Sequence, residues 1–330
     1  MGVGILGVGH QLPGRVETND ELCALLPDTT PEWIVEKTGI TQRFLAQQGD
    51  TASGLAIDAA RHAIEHAGIA PDEIGLVIAC TFSADYTFPP VSAKIQHELG
   101  AVNAQIFDLQ ANCAGFVSGM TVAADRMRCD DEVRFALVVG VELHTRFIDR
   151  TDVNTAIYFS DGAGAAILGH VPEGDGLLAS SFYTDGSNYE AVRFRKGGST
   201  YADPFEAMPE EAGFIEQNGL ATWKQAVTHL PVTVKRALAK AGVSVADVDL
   251  FVFHQANLNL IQYVVRKLRR PLERTYTNVE RIGNTGAASV AIALSEAVEQ
   301  DRLQAGDVLV LGAVGAGFNF AASVWRWGGK

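Results

Sequence analysis

The second half of this chain repeats the first. Ala67-Gly68-Ile69 followed by Glu73-Ile74-Gly75-Leu76-Val77 returns as Ala241-Gly242-Val243 followed by Asp247-Val248-Asp249-Leu250-Phe251, in the same register. Each copy reads as an amphipathic helix, a glycine stop, an acidic turn and a continuous apolar run. Such a run, bounded by turns, fits a strand buried on both faces. A second pair follows, Phe107 to Cys113 and Thr277 to Asn284, each ending in a polar residue ahead of an Ala- and Gly-rich helical stretch. A third pair is Leu137-Val138-Val139-Gly140 against Leu309-Val310-Leu311-Gly312. Short apolar strands resemble one another by chance, but chance does not preserve order and spacing across three pairs. The chain is therefore expected to be α/β, with two pseudo-symmetric halves over residues 1–172 and 173–330. The second half is expected to open with a loop-rich insertion at about 173–220, where Gly, Ser, Tyr and charge gather around Lys196 and Asp203-Pro204.

Composition narrows the setting. A chain of 330 residues, 47% of them hydrophobic, has the material for a large core. Its net charge of −13 argues against non-specific binding to nucleic acid. No apolar run reaches the length of a bilayer span, and Met1 to Gly7 lacks the basic and apolar regions of a signal peptide. The four cysteines (Cys23, Cys80, Cys113, Cys129) show no disulfide-like or zinc-like spacing, so a reducing cytoplasm is the expected setting, with no membrane partner.

Two motifs point to chemistry and are set aside. Gly2-Val3-Gly4-Ile5-Leu6-Gly7 fits the dinucleotide fingerprint, yet no strand can precede residue 2, so a glycine-rich first strand is the better reading. His62, Glu65 and His66 fit a zinc-peptidase pattern on one helix face, but the repeated helix lacks both histidines. His10, His97, His144, His170 and His229 have no partner spacing that singles them out.

Cys113, His254 and Asn284 stand apart because the repeat places them at strand ends. Cys113 lies where a strand gives way to a helix from Ala114 to Arg128. Free N–H groups at a helix N-terminus are expected to lower the thiol's pKa and expose the thiolate. His254 ends the run Leu250 to Phe253 and is the counterpart of Cys80; Asn284 is read as the counterpart of Cys113. Alone, each has an ordinary structural use, Cys as a small hydrophobe and Asn as a helix cap. Their joint placement points to one central site of nucleophilic catalysis.

Asn112 to Phe116, Phe253 to Asn257 and Gly283 to Ser289 resemble the corresponding segments of type III β-ketoacyl-acyl-carrier-protein synthases, within the thiolase superfamily. Trp33 to Ile40, Phe159 to Ala166 and Gly315 to Phe318 extend the resemblance along the whole chain. It implies a thiolase-like five-layer αβαβα fold, a homodimer, and a Cys113-His254-Asn284 site with no metal and no bound cofactor. Substrates would ride on the phosphopantetheine of acyl carrier protein, or on coenzyme A. Cys113 would take an acyl group from a thioester, with the oxyanion held by the N–H groups of Cys113 and Ala316. A malonyl- or β-ketoacyl thioester would then supply the carbon nucleophile, its enolate oxygen held by His254 and Asn284. Trp33, Lys37 and Asn257 match positions that hold the pantetheine arm or its nucleotide, and Phe88 matches a residue that enters the partner subunit's acyl tunnel.

The chain departs from that pattern where coenzyme A is gripped. Lys37 stands in place of an arginine, without its bidentate geometry, and two further clamp positions read Val153 and Asn259. The basic residues that meet acyl carrier protein are matched by Lys224, Arg266 and Lys267, and Arg269 and Arg270 extend the cluster. The plain structural reading of that cluster is a solvated helix end favoured by the helix dipole. The functional expectation is a carrier-borne donor and a role in polyketide or other secondary-metabolite biosynthesis. Fatty-acid chain initiation and an acyltransferase making an ester or amide are the alternatives. A non-catalytic partner subunit is a third, disfavoured because it has no need of Cys113, His254 and Asn284 together.

Overall fold

Five strands from each half form a sheet, and the two sheets carry the same strand order. In this computed structural model, which describes residues 1–199 and 213–329, the first half runs β1 (Gly2–Gln11), α1 (Ala52–Ala67), β2 (Ile74–Cys80), α2 (Val91–Leu99), β3 (Gln105–Leu109), α3 (Gly115–Cys129), β4 (Phe135–Leu143) and β5 (Asp161–Val171). The second runs β6 (Gly176–Thr184), α4 (Gly219–Ala241), β7 (Leu250–Phe253), α5 (Leu258–Lys267), β8 (Thr275–Tyr276), α6 (Ser289–Glu299), β9 (Val308–Gly315) and β10 (Asn319–Arg326). The sheet orders are β1-β5-β4-β2-β3 and β6-β10-β9-β7-β8, so every strand maps onto its counterpart. In both sheets the strands joined through helices pair in parallel and the hairpin strands pair antiparallel.

Burial sorts the helices into layers. The central core joins Phe116, Val117 and Met120 of α3 and Val290, Ala293 and Leu294 of α6 to the inner faces of both sheets. Helices α1 and α2 cover the outer face of the first sheet, and α4 and α5 cover that of the second. The result is five layers, αβαβα, of the thiolase type. The helices that precede β2 and β7 both close on a left-handed glycine, Gly68 and Gly242, as the repeat predicts. The glycine-rich segment at the start is strand β1. A Cβ on Gly7 would stand 2.3 Å from the Ala63 carbonyl oxygen, so the missing side chain lets α1 lie against the strand. His62 and His66 hydrogen-bond the backbone of β1. Among the described residues, no helix is long and apolar enough to cross a membrane.

Three readings need correction. The segment expected to be loop-rich begins with β6, nine residues that pair with β10 at the sheet edge. Its mixture of Leu, Ser and Tyr reflects an edge strand buried on part of one face, which lacks the apolar run that marks a central strand. Beyond it, Val192–Phe194 pairs with Ile215–Gln217; Asp203 and Pro204 lie outside the described residues. Second, the third repeat match is displaced by one. Ile78 pairs with Val138, and its counterpart Val252 pairs with Leu311, so Val138 corresponds to Leu311 and not to Val310. A shift of one residue moves every side chain to the other face, and Val138 and Leu311 do share the central core. Third, the turns opening α3 and α6 are Asn112–Ala114 and Gly286–Ala288. The counterpart of Cys113 is therefore Ala287, with Asn284 three residues ahead of it.

Candidate active site

Cys113, His254 and Asn284 line one cavity between the halves. Each arrives on a different local device. Cys113 is the middle residue of a single turn whose first residue, Asn112, takes φ 49°, a left-handed conformation that asparagine tolerates. The Asn112 Nδ2 donates to the Ala316 carbonyl at 3.1 Å, tying the turn to the loop after β9. A Cβ on Gly315 would lie 2.3 Å from the Ala111 carbonyl oxygen, so only a bare backbone fits where β9 meets that turn. Ala316 joins Cys113 in the cavity wall.

His254 follows the last residue of β7 and keeps the ladder going, its N–H bonding the Gly312 carbonyl at 2.8 Å. Its Nδ1 lies 2.7 Å from Ser289 Oγ, the first residue of α6. That hydroxyl also accepts the Gln255 N–H at 3.3 Å. Asn284 is held by backbone bonds to Tyr158 and Ser160. Its Oδ1 accepts the Gly286 N–H at 2.9 Å, which leaves Nδ2 as the group free to donate.

The electrostatics differ from the expectation of a lowered thiol pKa. Burial, reinforced by nearby Glu142, pushes the Cys113 thiol up to about 12. Burial, with a smaller contribution from His144, pushes His254 down to about 3. At neutral pH the site therefore holds a neutral thiol and a neutral imidazole. Desolvation outweighs the helix N-terminus because the cavity wall is mostly apolar, with Phe82, Phe159, Val314 and Phe318 among its members.

The other predicted residues fall outside this cluster, with one exception. Asn257 lines the cavity and caps α5, its Oδ1 accepting the Leu260 N–H at 2.8 Å. Trp33 is exposed on the short helix Pro31–Thr38, with the Lys37 ammonium 5.9 Å from its ring centroid. Asn259 Nδ2 donates to the Glu36 and Lys37 carbonyls that end this helix. Phe88 is 84% exposed, between β2 and α2. Lys224, Arg266 and Lys267 are exposed, the last two packed on Tyr263. Arg270 is half-buried and donates to the Val248 carbonyl, so it faces inward more than its neighbours. Sequence reasoning missed Glu142, His144, Trp223 and Ser289. The first three line the cavity, and no spacing marks them because only the tertiary fold brings them to it.

Comparison with known proteins adds the family. Models described as 3-oxoacyl-(acyl-carrier-protein) synthase III, and as its C-terminal part, match residues 107–186 and 238–327. The β-ketoacyl-(acyl-carrier-protein) synthase III of Rhodospirillum centenum is 39% identical over 328 residues, 98% of each chain. Among solved structures, the β-ketoacyl synthase III of Thermus thermophilus is 35% identical with a TM-score of 0.92, covering 99% of this chain and 100% of that one. The priming β-ketosynthase of the R1128 polyketide pathway is 34% identical with a TM-score of 0.92, covering 99% and 97%.

Proposed function

The chain belongs to the 3-oxoacyl-(acyl-carrier-protein) synthase III family and is an acyl-transferring condensing enzyme; on that premise we propose that Cys113 is its nucleophile, with His254 and Asn284 completing the site. The observation that carries this reading is the single cavity wall shared by these three residues and Ala316.

Cys113 Sγ attacks the thioester carbonyl, and the thiol proton passes through neutral His254 to the departing carrier thiol. The oxyanion is held by the N–H groups of Cys113 and Ala316. The second substrate then loses CO₂ from its malonyl group. Its enolate oxygen takes hydrogen bonds from Asn284 Nδ2 and His254 Nε2, and its carbon attacks the acyl-cysteine, expelling the Cys113 thiolate, which takes up a proton from solvent to restore the neutral thiol. The two stages need opposite tautomers of His254: a bare Nε2 to take a proton, then a protonated Nε2 to donate. The Ser289 hydroxyl suits both, since it accepts from Nδ1–H or donates to bare Nδ1. Splitting the reaction through a covalent intermediate replaces one high barrier by two lower ones.

The donor we propose is an acyl group on acyl carrier protein. Lys224, Arg266 and Lys267 support it as exposed cations beside Trp223, which lines the cavity. The weak coenzyme A clamp supports it too, because Asn259 spends its amide on backbone carbonyls. The condensation starts a chain. Fatty-acid initiation, one of the alternatives on the sequence, fits the curated relatives well, and the R1128 enzyme keeps a polyketide setting in view. We also propose a homodimer in the cytoplasm, the latter supported by four cysteines free of disulfides.

Intact-mass measurement with a panel of acyl-carrier thioesters tests the central step. Wild type gains the acyl mass, Cys113→Ala does not, and a malonyl carrier then releases a product one condensation longer. Absence of any adduct on the wild-type protein refutes the nucleophile.

A further inference from the structure

The mechanism above leaves two buried titratable side chains in the cavity wall unused, Glu142 and His144. Glu142 is 1% and His144 3% exposed. Glu142 is gripped by its surroundings: its carboxyl accepts from Ser83 Oγ at 2.7 Å and from the Phe82 N–H and Thr81 Oγ1, each at 3.3 Å. The His144 ring stacks on Phe159 with centroids 4.7 Å apart and leans on Phe82 at 5.3 Å. Its Nδ1 lies 3.3 Å from the Ser160 carbonyl oxygen. A carbonyl only accepts, so the ring proton sits on Nδ1 and Nε2 offers a lone pair. Burial holds this imidazole down to about 4, hence neutral.

The Nε2 edge of the ring lies against Gly286, beside the catalytic corner. A Cβ on Gly286 would stand 2.9 Å from His144 Nε2, 2.3 Å from its Cε1 and 3.0 Å from Glu142 Cγ. Gly286 is the residue whose N–H orients Asn284. His144 is thus an oriented, uncharged acceptor in a wall it shares with the apolar side chains of Phe82, Phe159, Phe194, Val314 and Phe318.

We propose that His144, seated by Phe82, Phe159 and the Ser160 carbonyl, is a specificity residue that favours an acyl group bearing a hydroxyl, which donates to Nε2 while the acyl carbonyl is joined to Cys113. The proposal rests on Cys113 being the acyl acceptor. A plain alkyl chain leaves the buried lone pair unpaired. A keto oxygen brings a second acceptor against it, and an ammonium requires burying a charge. A hydroxyl is the compact neutral donor that satisfies it.

The test loads the full chain from acyl-carrier-protein thioesters of butyrate and of its C2, C3 and C4 hydroxylated forms, reading kcat/KM for Cys113 acylation. Wild type acylates with at least one hydroxylated form roughly tenfold or more faster than with butyryl. His144→Leu brings that ratio to near one, and His144→Gln, which keeps an acceptor, retains part of it. Melting curves check that each variant folds, and His144→Phe replaces a leucine variant that does not. Equal rates in wild type, or an unchanged ratio in the apolar variant, overturn the proposal and leave Cys113 as the acceptor. Acylation by none of the four, in protein whose Cys113 still alkylates with iodoacetamide, overturns the function reading and this inference with it.

Discussion

Cys113 sits with its thiol raised and its neighbouring imidazole lowered, so the resting site is not a thiolate–imidazolium pair. The sign of the pH response follows. The thiolate fraction grows with each step of pH toward about 12, so iodoacetamide should alkylate Cys113 about tenfold faster per pH unit between pH 7 and pH 10. A plateau near pH 7 in the mass-resolved rate would point to a preformed ion pair instead. Linkage runs the other way for stability: the folded chain holds the Cys113 proton more tightly than the unfolded one, so that contribution declines as pH rises from 9 through 12. Ser289 is the other residue with a distinct expectation. Ser289→Ala removes the group that serves both His254 tautomers, and one neutral hydrogen bond corresponds to roughly fivefold to tenfold. Condensation should fall by about that factor at unchanged KM; a rise in KM at constant kcat would assign Ser289 to substrate binding.

At the level of elements, legibility followed burial. Central strands β2, β4, β7 and β9 are buried on both faces and stand out as apolar runs, whereas β6 shows part of one face to solvent and reads like loop. The repeat located the catalytic strand ends, but composition does not fix a period of two, so the third pair slipped by one residue. The same limit put Asn284 opposite Cys113, where Ala287 belongs. His144 was invisible for another reason: its partners Phe159 and Ser160 precede β5 and Phe82 follows β2, so the contacts exist only once both strands pair with β4. The β1–α1 contact gives an element-scale prediction. Gly7→Ala gains about 0.5–1 kcal/mol from reduced backbone freedom in a strand. It also drives a methyl against the Ala63 carbonyl and Ala67 N–H of α1, neither of them a flexible side chain. Overpacking of this kind costs about 1–3 kcal/mol and should win. Urea unfolding should show a lower midpoint at unchanged slope, and an unchanged or higher midpoint would mean α1 moves away freely.

For the whole molecule, assembly turns on one sheet edge. Among the described residues β3 pairs only with β2, leaving its other side unpaired. Phe107 on that strand is 38% exposed, Val102 just before it 70%, and Tyr86 and Phe88 nearby in sequence are 66% and 84%. An unpaired edge with apolar neighbours invites another strand, and a second copy of the chain would continue the sheet. Phe88 is then the residue with most to bury, on the order of 1.5–3 kcal/mol for a full side chain. Sedimentation equilibrium should therefore find wild type at twice 35.3 kDa. Phe88→Asp should weaken the dimer by roughly 10- to 100-fold. If Phe88 also enters the partner's acyl cavity, that variant should lose chain-length preference at protein concentrations where it is still dimeric. A wild-type chain that stays monomeric at micromolar concentration removes the dimer proposal, and with it any role for Phe88 beyond its own subunit.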